Sequence, residues 1–519
     1  MYIEMLLFYI ILFNLQLLKS IRKDTLSKLS SCLRQGFFGL FLVSFCELSW
    51  SQYEKLITFL RKSWNDNLHA FTPTMICFPE ASYVIPKLLP SSQQVKALWN
   101  FILPQTIPYH ILPIAGIFAI ECLIPNVIEY VYGNPLLYSL LHQPLERLEV
   151  IVTLDAFPVG GGHCFLMCIT FGNFGMLCKC SYLHFITALA DCSDDDRSVI
   201  EQILHNNFAL IDQLLHVGSI YINAIKKAVP ITFNFGGDDK ILRLITGLER
   251  SASKWCCFYC FWRRDALAAE QVTTKQTTDM ATEFAVRHEC GHMAVPMLKN
   301  LAWTNYKMCV LHALMSMGRL LCHWIHEWCA YLETKTGNSV YWTHAQAWLT
   351  NLHINITISK KPVTGSWNCK GIFAARMFAS FPVLMEYLHI PANVGVCVHN
   401  MRRIFHVLYK FDFHSPEDKA ELQWYKANVF EVSLKKKSKI NLLKICAAYG
   451  DVIGKQRKPN YLHQLQAETS ALLEFGGLWK YSGDAHETLQ ALCKQVWLDF
   501  SSRGALGKNR LHPCEIIFQ

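Results

Sequence analysis

"LEVIVTLDAFPVGGGHCFLMCITFGNF", residues 148–174, decides the fold. "LEVIVTLDAF" is rich in β-branched residues and reads as a strand. "PVGGGHCF" is a glycine turn, and "LMCITFGNF" is a second strand. "CSYLHFITALAD" (180–191) reads as a third. A helix is then expected over 194–228, with a Ser/Asp start and apolar residues at helical spacing. "VPITFNFGG" (229–237) is a fourth strand, and its end delivers Asp238 and Asp239.

Three meandering strands, a helix and a further strand form the opening of a ribonuclease-H-like α/β core, a mixed sheet with flanking helices. Asp155 lies in the first strand and Asp238 at the end of the fourth. With a third acid on a later helix they would make a two-metal site, in which two Mg²⁺ ions about 4 Å apart clamp the attacking and leaving oxygens of a phosphodiester. Hard oxygen ligands suit that ion. The structural alternative is that both aspartates are ordinary strand-end caps.

Composition bounds the rest. A chain of 519 residues, 52% hydrophobic, can bury a large core and suggests two to four domains or subdomains. The net charge of +9 permits a polyanionic partner without demanding one. The 21 cysteines are scattered, several inside apolar runs, so most read as reduced core residues of an intracellular protein. "MYIEMLLFYIILFNLQLLKS" (1–20) carries Glu4 where a signal peptide is positive, and its apolar run falls short of the ~20 residues a spanning helix needs. "ILPIAGIFAIECLIPNVI" (111–128) holds Glu121 and two prolines, which favours a buried helix or strand pair; no membrane span is expected. Residues 1–100 read as amphipathic helices, and the chain after 240 as mostly helical, rich in Trp and His.

Several segments in order carry a resemblance: "TALADCSDDDRSVIEQIL" (187–204), "FNFGGDDK" (233–240), "ITGLERSAS" (245–253), "CFYC" (257–260), "SWNCKGIFAARMF" (366–378), "PNYLHQLQAE" (459–468) and "LWKYSGDAHETLQALCKQVW" (478–497). Together they resemble the catalytic core of the recombination-activating transposase family, which comprises the V(D)J recombinase catalytic subunit and its Transib-like relatives. The resemblance runs from about residue 148 to the end; residues 1–147 show no counterpart of the family's basic N-terminal DNA-binding region.

The resemblance implies a core of roughly 148–250 plus 475–519, split by a helical insertion over 251–474 and preceded by a mostly helical region over 1–147. It implies Asp155 and Asp238 as the first two catalytic, metal-binding acids, with Asp239 as an auxiliary acid. Either Glu487 or Asp484 would be the third; Glu487 is preferred because a helical pattern follows it. Cys257, Cys260 and His463 take the places of zinc ligands, while Glu468 stands where the family has a second histidine. The implied cofactors are Mg²⁺ (or Mn²⁺) and Zn²⁺. The implied partners are DNA and a second copy of the chain, with an accessory subunit left open, and the implied location is the nucleus. The activity expected is nuclease and strand-transfer chemistry, with a catalytically inactive DNA-binding or interaction module as the alternative.

A different chemistry is offered by "HECGH" (288–292). On a helix it would set His288 and His292 on one face as zinc ligands, with Glu289 as general base. Glu327 is available as a third ligand, but Pro296 would break such a helix soon after His292. "KKKSK" (435–439) reads as a solvated face or a phosphate contact, and the Trp-rich "HWIHEWCAYLE" (323–333) as core.

Overall fold

A computed structural model describes residues 107–141, 146–159, 162–249, 277–307, 309–360, 369–390, 392–408 and 478–501 apart from 482, with positions 54, 55, 58, 255, 260, 261, 416, 417, 420 and 514 singly. The chain divides into one unit of Met1–Phe235 and Asp484–Gln519, and a second of Gly236–Gly483. The helices expected over 1–100 lie outside the described residues, save for those single positions.

The first unit is α/β. A seven-stranded sheet runs in the order β1-β2-β5-β4-β3-β7-β6. Its strands are β1 (His110–Leu112), β2 (Ala119–Glu121), β3 (Leu148–Val159), β4 (Gly162–Phe171), β5 (Phe185–Ala190), β6 (Ser219–Ile222) and β7 (Lys227–Gly237). The opening stretch forms the hairpin β3–β4, antiparallel from Val150↔Phe171 to Val159↔Gly162. A bulge at Met167/Cys168 interrupts the next antiparallel pair, β4–β5. β3 and β4 are buried along most of their length, as central strands covered on both faces are. Between β3 and β7, Thr232 Oγ1 donates to the Leu148 carbonyl at 3.5 Å and Asn234 Nδ2 to Glu149 Oε1 at 3.0 Å. These contacts advance together along both strands, which sets β3 and β7 parallel and makes the sheet mixed.

Helices α1 (Ile124–Gly133), α2 (Pro135–Leu140), α3 (Arg197–Val217) and, far along the chain, α10 (Asp484–Ser501) flank the sheet. Asp196 caps α3, accepting from the Ser198 and Val199 amides at 2.9 and 3.4 Å. The helix stops earlier than the 194–228 expected. Gly218 adopts the left-handed conformation and its N–H closes on the Leu214 carbonyl. Residues 219–222 then become β6, which pairs back on β7 in a hairpin. The 111–128 segment yields the short pair β1–β2 and the start of α1. Glu121 in β2 is 1% exposed and accepts from Asn206 Nδ2, Asn207 Nδ2 and the Asn207 amide at 2.9–3.2 Å. Burial raises its carboxyl above the usual range, and those donors oppose the rise. Among the described residues no helix is long and apolar enough to cross a membrane.

The second unit is helical: α4 (Asp239–Thr246), α5 (Thr278–Arg287), α6 (Val310–Thr336), α7 (Val340–Asn351), α8 (Gly371–Tyr387) and α9 (Ala392–Leu408). Trp324 and Trp328 of α6 are buried, and Trp324 meets Phe381 of α8 at 6.1 Å between ring centroids. The turn after α4 needs its glycine for two reasons. Gly247 has φ +75°, and a Cβ there would lie 1.8 Å from the Ala294 carbonyl oxygen.

Gly337 ends α6 at φ +71° with nothing within 4 Å of its would-be Cβ, so Gly337→Ala carries conformational strain alone, about 1 kcal/mol. Gly247→Ala adds a backbone collision and is expected to destabilise the helical unit severalfold more. Urea unfolding followed by tryptophan fluorescence compares the two; equal losses would refute the close approach at 247.

Candidate metal centre

Three strands of the sheet lead to one cluster of carboxylates. Asp155 is in β3, Asp194 lies in the loop between β5 and α3, and Asp238 is the residue directly after β7. The division between the two units falls inside β7, so Asp238 is positioned by a strand of the sheet. One oxygen from each of Asp155, Asp194 and Asp238 lies within 4.8 Å of the other two, and this is the only such group among the described residues.

Each acid is held differently. Asp155 Oδ1 accepts from the Ala156 amide at 2.8 Å, and Oδ2 from Gln490 Nε2 of α10 at 2.8 Å. Asp238 is the N-cap of α4; its Oδ1 accepts the Ile241 amide at 2.8 Å. Asp194 is 5% exposed. The donor set fits a hard divalent cation: all donors are carboxylate oxygens, and bonds of about 2.1–2.4 Å span oxygens up to about 4.2–4.8 Å apart.

Helix α10 is set on β3 by a repeated register. His486 Nδ1 lies 3.1 Å from Thr153 Oγ1, Gln490 reaches Asp155, and Lys494 Nζ sits 5.5 Å from the centroid of the Phe157 ring. Steps of two along the strand therefore meet steps of four along the helix. His486 Nδ1 also lies 3.1 Å from Cys168 Sγ, and Cys168 Sγ lies 3.7 Å from His184 Nδ1. His184 Nε2 meets the Cys178 carbonyl at 2.8 Å, so Nε2 carries the proton and Nδ1 accepts. Burial drives the His486 pKa down to about 3, with the nearby His184 adding to the fall, and burial takes His184 down to about 4. Burial pushes the Cys168 thiol up to about 12. The two histidines and the Cys168 thiol packed between α10 and the sheet are thus neutral.

The other expected site residues fall elsewhere. Asp239, expected as an auxiliary acid, is the first residue of α4 and is bound by Arg243: Nε to Oδ2 at 2.7 Å and Nη2 to Oδ1 at 3.3 Å, both side chains nearly buried. Glu487 is half-buried on α10, one turn before Gln490, and is not among the three clustered acids; Asp194 completes the group instead. Asp484 is the first residue of α10. Of the zinc set, Cys260 is buried, while Cys257, His463 and Glu468 lie outside the described residues, as does "KKKSK".

The zinc-hydrolase arrangement at 288–292 is corrected by the backbone. Helix α5 ends at Arg287, His288 caps it at φ 52°, and Cys290 and Gly291 follow at φ 51° and 80°. His288 and Glu289 are exposed, whereas His292 is fully buried, bridged to Leu248 and stacked on Phe284 at 6.2 Å. A turn replaces the helical face that the chemistry requires. Glu327, held as a third ligand, is on α6.

Asp194 was not singled out from the sequence. It stands in "DCSDDD" (191–196), where an acidic loop is evident but nothing separates one aspartate from the next. Asp196 next door is an exposed helix cap, its carboxyl held below the usual range by Ser198. No protein-family model and no curated protein matches this chain.

Burial also lowers His292, in the helical unit, to about 4. For His184, His292 and His486 the folded pKa lies below the ordinary 6.5, so the folded state refuses protons that the unfolded chain accepts. Their stability contribution is full above about pH 6.5 and is lost as pH falls toward 4, by about 1.4 kcal/mol per pH unit for each histidine. Urea unfolding between pH 7 and pH 5 should show a steep decline; a flat profile would mean that the rings are charged in the folded protein.

Proposed function

We propose that the chain is a transposase-like, Mg²⁺- or Mn²⁺-dependent protein of DNA phosphodiester chemistry, built on a ribonuclease-H-like core. The observation that carries this reading is the cluster of Asp155, Asp194 and Asp238, gathered from β3, the loop after β5 and the residue after β7. Topology supports it. The order β5-β4-β3-β7, with an antiparallel meander, a crossover helix α3 and a parallel β7 beside β3, is the arrangement in which the first and fourth core strands carry acids. The motif order that resembles the recombination-activating transposases adds the substrate class: DNA, acted on in the nucleus by paired copies of the chain.

The division of labour follows from the hydrogen bonds. Asp155 keeps one oxygen against its own backbone and the other against Gln490, so its carboxylate plane is set before any ligand arrives. The helix-capping bond of Asp238 orients its carboxylate. Asp194, almost buried, supplies charge where water is sparse. A divalent ion held by these three would polarise a phosphoryl oxygen and lower the pKa of bound water. Charge on the enzyme side is thus concentrated on one spot at the edge of the sheet's strands.

One observation favours the second reading, a DNA-binding module without catalysis. On α10, the side chain that meets Asp155 is the amide Gln490, whereas the resemblance implies a carboxylate from this helix, Glu487 or Asp484.

Nicking of supercoiled DNA with Mg²⁺ or Mn²⁺ separates these readings. Catalysis predicts that Asp155→Asn, Asp194→Asn and Asp238→Asn each lose at least about 100-fold, the scale of a missing electrostatic contact, while Glu487→Gln stays near wild type. DNA binding with no metal-dependent nicking would favour the binding module, and a dead Glu487→Gln with an active Asp194→Asn would reassign the third acid.

A further inference from the structure

Within the helical unit, α8 and α9 run antiparallel. Phe378 stacks on Phe405 at 6.3 Å between ring centroids, and further along α8 Met385 meets Gly395, earlier on α9. Between those contacts lies a cavity of about 290 Å³. From α8 it takes Phe378, Phe381, Pro382 and Met385, which share one helical face by their spacing of three and four. Ala392, Gly395, Val398, His399 and Arg402 line it from α9 on the same rule. Phe378, Phe381 and Val398 are buried and close it from below. Two features keep it open. A Cβ at Gly395 would lie 2.5 Å from the Met385 methyl, so a larger residue at 395 would fill the space. Pro382, inside α8, supplies no N–H to the Phe378 carbonyl, which loosens the turn that walls the cavity. Polarity is graded along its length. The end at Met385 and Gly395 is apolar, while His399 and Arg402 stand one turn apart on α9 toward the Phe378 end. Among the described residues neither is in an ion pair, and no carboxylate lines the cavity.

We infer that this cavity binds a small amphipathic carboxylate, its chain against Met385 and Gly395 and its head at His399 and Arg402. Size sets the ligand. The wall from Ala392 to Arg402 runs about 15 Å at 1.5 Å per residue, and the volume holds about ten groups of roughly 30 Å³, the bulk of a ten-carbon chain. A helix about 10 Å across is too thick to enter a space of this volume, which favours a small molecule over a protein segment. Charge sets the head. A carboxylate resists leaving water, so a cavity that was apolar throughout would take a neutral ligand first. Here both polar side chains of the lining suit an anion, and both are exposed, so the head keeps part of its hydration while it pairs with Arg402. The site lies wholly in the helical unit and does not depend on the carboxylate cluster.

The test titrates the full chain, labelled with carbon-13 in its methionine methyls, with decanoate, decanol and decylammonium below their micelle concentrations. The Met385 signal is assigned from its loss in Met385→Leu. Decanoate should shift that signal and bind at least about fivefold tighter than decanol, with decylammonium the weakest. Arg402→Gln should weaken decanoate by about fivefold, the upper worth of an exposed ion pair, and leave decanol unchanged. Gly395→Leu fills the space and should abolish binding of both. Should Gly395→Leu fail to fold, the head-group order and the exposed Arg402 variant decide alone. Decanol binding as tightly as decanoate, decanoate binding that spares the Met385 signal, or full decanoate affinity in Arg402→Gln would overturn the proposal.

Discussion

The docking of α10 on β3 is the constraint on which the candidate site depends. Two residues of strand advance about 6.6 Å and four residues of helix about 6.0 Å, so side chains at those intervals stay in register over a few turns. The pairs Thr153–His486, Asp155–Gln490 and Phe157–Lys494 use that match. More than 300 residues separate the partners in sequence. Chain-closure entropy grows only slowly with such a separation, so a buried seam can repay it. Leu489 and Cys493 continue the seam as apolar contacts with Phe157, Val159, Cys164 and Leu166. The seam therefore joins core formation to the orientation of the Asp155 carboxylate, and a change that shifts the helix by one turn would reach it directly.

Electrostatics pulls against that packing. Three carboxylates within 4.8 Å repel, and each unit charge at such a distance matters more as water is excluded. The fold meets this with neutral surroundings and local donors. Gln490 gives an amide hydrogen, the start of α4 gives a backbone hydrogen, and the two histidines under α10 stay uncharged. Three acids gathered in a rigid frame suit a cation, and stability is given up at the place where chemistry is proposed.

Much of the sheet was legible because β-branched runs with glycine turns encode strands locally. Asp155 within the first strand and Asp238 at the end of the fourth were legible for the same reason. The end of α3 was not, since "HVGSIYINAIKKA" keeps apolar residues at helical spacing and only the conformation of Gly218 breaks it. Adjacency misled at Asp239: neighbouring residues at a helix start diverge, and Arg243 one turn on captures the second acid. Helical phase misled at Glu487, because only the register with β3 says that Gln490 is the residue facing Asp155. Within "HECGH", the positive φ angles at His288, Cys290 and Gly291 undo the helical spacing that the pattern assumes. Asp194 needed the third dimension, since four aspartates within six residues are equivalent until the loop is folded against β3 and β7.

The central claim is that Asp155, Asp194 and Asp238 form one cation site. Anomalous diffraction from crystals of the full chain soaked in Mn²⁺ tests it most directly. The account predicts a peak within about 2.1–2.4 Å of an oxygen from each of the three carboxylates. A peak bound to Glu487 in place of Asp194, or no peak among the three at saturating Mn²⁺, would contradict it.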